Sequence, residues 1–377
     1  MHIVFSNYDS PANPFYGGGG ATAIHEVARR LARTHVVEVV TGAAPGVGPG
    51  QVDQVTYRPI GLASAGPKLG QLLFHFSLPW QLRRGRFDVW CESLTPPFST
   101  TCLPLFTRRP VVALTQVLAG EAMRRKYHLP FDRLERAGLQ RYRHAIATSA
   151  FLRARLLAAN PRLETAIIPN GVPGDWMLRE PEPTRRHLLF LGRLDVEQKG
   201  LDLLFHALAL VASQLPLPLV VAGAGPPAQE AFVRRRVQEL GLGSQVQVVG
   251  KVLGEAKHAL LREAAFLVMP SRFEASPLVL LEAACYRLPT VCFRIPELSD
   301  VPESLTVKVP AFNAPALGAA ILALASDPAR REALGLAAKR YVRDFDWDLI
   351  AARYERFFQQ VLSGHAQEIR VGPRRLP

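Results

Sequence analysis

Cysteine is scarce in this chain, and the spacing of the few that occur excludes common cysteine-based sites. The 377 residues include four cysteines, Cys91, Cys102, Cys285 and Cys292, and no two of them have C-x-x-C spacing. That spacing is typical of zinc sites and redox motifs. Three of the four lie in or beside apolar runs, so we expect reduced, buried thiols, as is usual inside cells.

Signals for membrane insertion and for metal binding are also missing. No apolar run reaches the ~20 residues of a transmembrane helix, and the opening MHIVFSNYDS lacks the basic region and cleavage site of a signal peptide. The ten histidines include no H-E-x-x-H, so we predict no metal. We expect a cytoplasmic protein, attached at most to the inner face of a membrane.

Acidic residues are too few to balance the basic ones. The chain has 45 Lys and Arg against 32 Asp and Glu, which gives a net charge of +13. A surplus of this size favours an anionic partner such as a nucleotide, a nucleic acid or an acidic membrane, and an arginine-rich genome would explain it equally well. The length itself favours two domains.

Short β-rich runs alternate with helical periods along the first half of the sequence. In the segment 21–33, apolar residues recur at the i, i+3, i+4 and i+7 positions of an amphipathic helix. A strand, helix and strand in this order imply a parallel sheet. The predicted strands of this half are 2–7, 35–42, 87–93, 110–115 and 145–149.

The same alternation starts again after the polar, proline-bearing segment 178–187. We predict an α/β protein with two doubly wound, Rossmann-like domains, 1–177 and 178–345, and a last helix, about 346–377, that packs back onto the first. Ligands of such proteins bind in the cleft between the domains. The predicted strands of this half are 188–193, 217–225, 245–250, 265–270 and 289–293.

Two strand ends lead into helices with residues suited to phosphate. The run YGGGGATAIHE at 16–26 lets the backbone approach a ligand closely, although it lacks the G-x-G-x-x-G pattern and is equally compatible with a flexible loop. In LGRLDVEQKGLDLLFHAL at 191–208, Arg193 and Lys199 would place two cations at the carboxyl end of the sheet. Two cations at that place match a diphosphate.

The stretch MPSRFEASPLVLLEAACYRLPTV at 269–291 contains a carboxylate, Glu282, inside an apolar helix. We expect Ser276 to cap this helix and Pro277 to be its first residue, so that the amides of 276–278 form an anion site. Since an unpaired buried carboxylate costs several kcal/mol, Glu282 needs hydrogen-bond donors. Sugar hydroxyls, a neighbouring Arg or backbone amides would each supply them.

Together these motifs resemble the signature of the retaining, GT-B-fold glycosyltransferases of family 4. The resemblance rests on Gly192-Arg193-Leu194, on Lys199-Gly200 and on the Glu-x7-Glu spacing of Glu274 and Glu282. IIPNGV at 167–172, the glycine-rich first loop and FDWDLIAARYERFF at 345–358 extend it over nearly the whole chain. The acids of 344–348 would then complement the dipole of the last helix instead of binding metal.

The resemblance implies a role for each charged residue. Arg193 and Lys199 would neutralise the diphosphate of a UDP- or GDP-linked hexose as it leaves. Glu282 would accept both ribose hydroxyls, and Glu274 would contact the transferred sugar. No metal and no cofactor would be needed, and a hydroxyl on a glycan, glycolipid or small molecule would be the acceptor.

The resemblance also assigns backbone groups to the donor. Gly19 and Gly20 would cover the phosphates, and backbone near 248–254 would recognise the base. The expected donor-binding residues are Gly19, Gly20, Gly192, Val252, Ser276, Pro277, Leu278 and Glu282.

The sequence departs from the family pattern at one position. Many relatives have a His after the strand corresponding to 110–115, where this chain has Thr115 and Gln116. These neutral groups can hydrogen-bond to a sugar hydroxyl, but neither carries a positive charge. Together with Asn170, they are the residues expected on the sugar or acceptor side.

Two segments of the first domain, 72–90 and 120–146, mix basic and aromatic residues. They are compatible with a face for anionic lipid or an anionic acceptor, and also with ordinary solvated helices.

The alternative functions are a nucleotide-sugar epimerase or phosphorylase of the same architecture and a basic nucleic-acid-binding protein. A phosphorylase would require a longer chain with a lysine-bound cofactor. No nucleic-acid-binding module is visible, so nucleic acid is not expected as a partner.

Overall fold

The computed structural model describes residues 1–13, 18–95 and 101–364. By their internal contacts, the residues fall into two compact units: unit 1 comprises Met1–Gly171 and Trp347–Pro377, and unit 2 comprises Val172–Asp346. The Val172 N–H donates to the Phe345 carbonyl at 2.8 Å, which joins the start of unit 2 to its end. The expected boundary before residue 178 therefore lies six residues after the structural one.

Unit 1 is built on an eight-stranded sheet with the order β3-β4-β2-β1-β5-β6-β7-β8. All neighbours are parallel except β3 and β4. The strands are β1 His2–Ser6, β2 Val36–Gly42, β3 Gly50–Val52, β4 Val55–Ile60, β5 Val89–Ser93, β6 Val111–Thr115, β7 His144–Ala147 and β8 Glu164–Ile167. The helices are α1 Gly19–Leu31, α2 Gly66–Arg84, α3 Gly120–Tyr127, α4 Phe131–Leu139 and α5 Ala150–Ala159.

Unit 2 has a fully parallel six-stranded sheet with the order β11-β10-β9-β12-β13-β14. Its strands are β9 His187–Leu191, β10 Leu219–Ala222, β11 Val246–Gly250, β12 Ala264–Met269, β13 Thr290–Phe293 and β14 Thr306–Val309. Its helices are α6 Val196–Lys199, α7 Leu201–Ala209, α8 Pro227–Glu239, α9 Gly254–Glu263, α10 Leu278–Cys285, α11 Ala314–Ala325 and α12 Pro328–Val342. Every residue of β12 is buried, as expected for a parallel strand covered on both faces.

The strand order of unit 2 reverses beside β9, because the chain builds β10 and β11 on one side of it and β12 to β14 on the other. In open α/β sheets, ligands bind beyond the carboxyl ends of the two strands that flank such a switch point. A ligand site is therefore expected at the loops that follow β9 and β12.

The last helix, α13 Trp347–Ser363, belongs to unit 1. Phe5 on β1 packs against the rings of Tyr354 and Phe358, with centroids 6.5 and 6.1 Å apart. Arg30 on α1 also donates to Asp348 at 2.9 Å. Within the parts of the chain that the structure describes, no helix is long and apolar enough to cross a membrane.

The expected α/β class with two doubly wound sheets is confirmed, and ten predicted strands correspond to observed ones. Four strands were not predicted: β3, β4, β8 and β14. The turn between β3 and β4 uses Asp53 and Gln54, both at positive φ. Asp is common at the first of these positions, but the second usually has Gly. The other two are four-residue strands containing Glu or Lys, which conceals their pattern.

Gly200 controls the geometry at the switch point. It ends α6 in the left-handed region at φ 64°, and a Cβ atom there would lie 2.0 Å from the Pro270 carbonyl oxygen. Only glycine allows the end of α6 to approach the loop after β12 this closely.

We predict that Gly200→Ala lowers the free energy of unfolding by about 2–4 kcal/mol, because it adds left-handed strain and a clash with backbone. Urea unfolding at pH 7 measures the change. Gly243→Ala is the matched control, because a Cβ at Gly243 meets nothing within 4 Å. Equal stability of the two variants would contradict this account of Gly200.

Candidate functional site

The central feature of the site in unit 2 is an ion pair between Lys199 and Glu274. Lys199 Nζ lies 2.5 Å from Glu274 Oε1, and the Ser271 hydroxyl donates to the same oxygen at 2.5 Å. The side chain of Glu274 is 5% exposed and that of Lys199 is 15% exposed. The predicted catalytic residues Lys199 and Glu274 are thus in direct contact at the switch point, where each offsets the charge of the other.

The loop carrying Glu274 is fastened to the end of α6 and the start of α7. Arg272 donates to both carboxylate oxygens of Asp202, at 2.8 and 2.7 Å, and to the Glu197 carbonyl at 2.8 Å. The hydrogen bond with Asp202 raises the pKa of Arg272. Sequence reasoning missed this arginine, although it lies two residues before Glu274. Its bidentate geometry fixes the loop as well as adding charge attraction.

Arg193 is exposed after β9. Its Nη2 donates to Gln198 Oε1 at 2.7 Å. The guanidinium therefore has a neutral partner within its own loop, and it keeps its positive charge available to an anion. The third predicted catalytic residue thus lies on the same strand-to-helix connection as Lys199.

Two glycines bring the loops after β9 and β10 together. Gly223 has φ 153°, and a Cβ there would lie 1.7 Å from the Gly192 carbonyl oxygen. The Gly192 N–H donates to the Ala222 carbonyl at 3.0 Å. Gly192 therefore contacts the loop after β10 through its backbone. Val252, in the loop after β11, is half-buried.

The start of α10 differs from the expectation. The helix begins at Leu278 and its N-cap residue is Pro277, so the predicted N-cap position of Ser276 is wrong by one residue. Pro277 also has no N–H, since its ring nitrogen is fully substituted. Of the three residues expected to offer amides, only Ser276 and Leu278 carry one.

Glu282 has a partner that sequence reasoning did not identify. Lys257 on α9 donates to Glu282 Oε1 at 2.7 Å, and the two side chains are 21% and 16% exposed. The Lys257 ammonium also lies 5.3 Å from the ring centroid of Trp176. The expectation that an apolar helix buries Glu282 is therefore wrong: its neighbours Leu281 and Ala283 are buried, while Glu282 is only half-buried.

In unit 1, the structure brings Gly20 and Gln116 together. A Cβ at Gly20 would lie 3.3 Å from the Gln116 amide oxygen. Gly19 is exposed at the start of α1, and the preceding Gly18 N–H is already bonded to Asp9 Oδ2 at 2.8 Å. Tyr16 and Gly17 of the glycine-rich run lie outside the described residues.

The other expected residues of unit 1 are buried. Thr115 is 0% exposed, and its hydroxyl has no hydrogen-bond partner within the described residues. Asn170 is 5% exposed. The expectation that Thr115 touches a sugar fails because its side chain does not reach the surface. Gln116, which is half-buried, is the accessible member of the pair.

A second buried carboxylate, Glu92, lies near the carboxyl end of β5. It accepts hydrogen bonds from the hydroxyls of Thr101 and Tyr142. Burial raises the pKa of Glu92 to about 7, and these hydrogen bonds oppose the shift. The sequence offered no sign of it, because a glutamate inside WCES looks like one on the solvent face of a strand.

Grouped metal ligands are absent from the described residues, where no three His, Cys, Asp or Glu side chains could hold an ion. The expectations that neither a metal nor a cofactor takes part stay predictions.

Two family models match the chain. Residues 185–327 match the model described as glycosyl transferases group 1, and residues 17–176 match the model described as glycosyltransferase family 4. The first segment contains Arg193, Lys199, Glu274 and Glu282, and the second contains Gly19, Gly20 and Gln116. The two segments do not overlap, and together they cover most of the chain.

A curated relative is the phosphatidyl-myo-inositol mannosyltransferase of Mycobacterium leprae, 30% identical over 203 residues, which are 52% of this chain and 53% of that protein. The match thus spans about half the length of this relative.

Two solved structures extend the comparison to the whole fold. The sucrose-phosphate synthase of Thermosynechococcus elongatus matches with a TM-score of 0.78 and 20% identity, over 97% of this chain and all of the other. Anabaena HepE in complex with UDP matches with a TM-score of 0.74 and 17% identity, over 96% of this chain and all of the other. The expected GT-B fold is confirmed.

We predict that Glu92 makes unit 1 less stable as pH rises from about 4.5 to about 7. Its pKa is higher in the folded protein than in the unfolded chain, so folding favours the protonated form. Relative to Glu92→Gln, the wild type should lose about 3 kcal/mol across this window and change no further above it. Urea unfolding at a series of pH values measures the difference, and a constant gap between the two proteins would contradict the assignment.

Proposed function

We propose that this chain, which belongs to the family 4, group 1 glycosyltransferases, transfers a hexose from a nucleotide-sugar to a hydroxyl of an acceptor. The observation that carries the proposal is the nearly buried pair of Lys199 and Glu274 at the switch point of the unit 2 sheet. A cation fixed by a carboxylate at this position suits a ligand that carries both phosphate and sugar.

The two cations of the site stabilise the leaving group. When the bond between the sugar C1 and the phosphate oxygen breaks, negative charge develops on the diphosphate. Lys199 and Arg193 stabilise that charge in the proposed mechanism, because preorganised positive charge is most effective where charge develops. With two cations at the diphosphate, the reaction proceeds without a metal ion.

The acceptor reacts on the face from which the diphosphate leaves. A bond forms between the acceptor oxygen and C1, and the acceptor proton passes to the departing phosphate oxygen. The new bond keeps the anomeric configuration of the donor. Glu274 accepts hydrogen bonds from hydroxyls of the sugar and holds C1 near the acceptor.

The nucleoside is held by Glu282 in this proposal. Lys257 occupies Glu282 Oε1, which leaves Oε2 to accept from the ribose hydroxyls. UDP is the first candidate nucleotide because HepE of Anabaena, which shares the fold, was solved with UDP. GDP is the second candidate. Backbone near Val252 would recognise the base, and the amides of Ser276 and Leu278 would bind the distal phosphate or the sugar.

Unit 1 contributes Gly19, Gly20 and Gln116 in the proposed function. The backbone amides of the two glycines bind phosphate oxygens, and the Gln116 amide hydrogen-bonds to a sugar hydroxyl. The epimerase, phosphorylase and nucleic-acid alternatives gain no support, since both matched family models describe glycosyl transfer.

We predict that UDP or GDP raises the melting temperature, because a ligand present at 100 times its Kd adds about 2.7 kcal/mol to stability. Lys199→Ala and Glu282→Ala should each weaken binding at least about tenfold, since hydrogen bonds to charged groups contribute about 1.5–3 kcal/mol. Differential scanning fluorimetry with UDP, GDP and ADP is the measurement. Arg330→Ala removes an exposed cation from α12 and should respond like the wild type. The absence of a shift with all three nucleotides would refute the donor site.

We also predict that Glu274→Gln lowers kcat by about 10²–10³ while UDP binding changes less than about threefold. The amide keeps the shape of the side chain but loses the charge that orients sugar and lysine. Release of nucleoside diphosphate from UDP-, GDP- and ADP-sugars measures turnover, and proton NMR of the product gives its anomeric configuration. Inversion of that configuration would exclude the retaining mechanism, and the prediction for UDP binding would be unaffected.

A further inference from the structure

Helix α2 of unit 1 is apolar on two opposite sides. Phe74, Leu78 and Leu82 face inward and are at most 2% exposed. Leu69, Phe76 and Trp80 have exposed fractions of 53%, 76% and 52%. Their spacing of seven and four residues places the three exposed side chains on one stripe of the helix. We call this stripe the outer face of α2.

Two further exposed apolar side chains lie near α2. Leu62, just before α2, is 60% exposed, and so is Leu105. Leu105 lies in the short helical turn Leu103–Phe106, which is beside α2 because Arg83 stacks 5.3 Å from the Phe106 centroid. Isolated exposed apolar residues are ordinary, whereas several large ones on one face of a helix favour a binding surface.

Positive charge surrounds the outer face. Lys68 lies at its amino-terminal end, and Arg83 and Arg84 lie at its carboxyl-terminal end. The Arg84 guanidinium is 3.8 Å from the centroid of the Trp80 ring, so the cation and the aromatic ring are presented together.

Negative charge is missing from the same part of the sequence. Between Asp53 and Asp88 there is no Asp or Glu, whereas five cations occur there: Arg58, Lys68, Arg83, Arg84 and Arg86. The other basic segment of unit 1 differs, because Glu121 and Asp132 are interspersed with its arginines and Asp132 pairs with Arg124 at 2.9 Å. The charge of the α2 region is therefore of a single sign.

We propose that the outer face of α2 binds the surface of an anionic lipid bilayer. The helix has 19 residues and is about 28 Å long, so it can lie flat in the headgroup region. Phe76, Trp80 and Leu69 enter the boundary between headgroups and acyl chains, where aromatic side chains are favoured. Lys68, Arg83 and Arg84 then contact lipid phosphates.

The charges favour a membrane over a second copy of this chain. A symmetric contact between two α2 helices would bring cationic ends of the same sign together without an acid to offset them. An anionic bilayer offers negative charge across its whole plane, together with an apolar layer for the aromatic side chains. Because this inference needs neither donor nor acceptor, it goes beyond the proposed glycosyl transfer.

The test is co-sedimentation of the full chain with vesicles of phosphatidylglycerol and phosphatidylcholine, with vesicles of phosphatidylcholine alone as the comparison. We expect recovery on the anionic vesicles to be at least about tenfold higher, and to fall in 0.5 M salt because exposed charges are screened. Phe76→Ser with Trp80→Ser, and separately Arg83→Gln with Arg84→Gln, should each lower binding at least about tenfold.

Two control variants show whether the effect belongs to α2. Leu349→Ser removes an exposed leucine from α13, and Arg162→Gln removes an exposed arginine that follows α5; both should bind vesicles like the wild type. Circular dichroism verifies that all variants are folded. Equal recovery on neutral vesicles, or unchanged binding of both α2 variants, would overturn the proposal. So would light scattering that shows a wild-type oligomer dissociated by the Phe76→Ser and Trp80→Ser changes, since the face would then bind another copy.

Discussion

The contact between Lys199 and Glu274 is the interaction on which the geometry of the site loops in unit 2 depends. An ammonium and a carboxylate that are nearly removed from water stabilise each other only if their geometry is tightly held. Three local features hold it: the left-handed Gly200, the Ser271 hydroxyl and the link from Arg272 to Asp202. Removing either charge would leave the other nearly buried without a partner. The contacts of Gly200, Ser271 and Arg272 keep the two charges together.

Much of the fold could be predicted because burial leaves a periodic trace in the sequence. A buried strand such as β12 is a continuous apolar run, and α1 has the spacing of an amphipathic helix. The strands β3 and β4 were not predicted because their turn has Gln54, instead of Gly, at a positive φ. The start of unit 2 lies six residues before the expected boundary, at Val172, whose N–H bonds to the Phe345 carbonyl, a contact remote in sequence.

The candidate site was predictable only in part, because some of its contacts join residues that are remote in sequence. Glycines beside charged residues after a strand indicated Arg193 and Lys199, and the Glu-x7-Glu spacing indicated Glu274 and Glu282. The partner of Glu282 could not be inferred, because Lys257 reaches it from another helix and carries no local pattern. The same is true of Arg272, which reaches Asp202 from a segment remote in sequence. Burial also could not be judged residue by residue: Glu282 is more accessible than its apolar neighbours imply, and Thr115 is less accessible than its place at a strand end implies.

The tethering of Lys199 has a consequence for the entropy of binding. A lysine side chain that is free in solution loses on the order of 2 kcal/mol of rotamer freedom when it is immobilised. Here Glu274 already restricts that freedom as part of folding, and the Ser271 hydroxyl in turn orients the carboxylate. An anion arriving at the ammonium group therefore meets a side chain whose ordering cost was met when the protein folded, so that entropy cost is not part of binding.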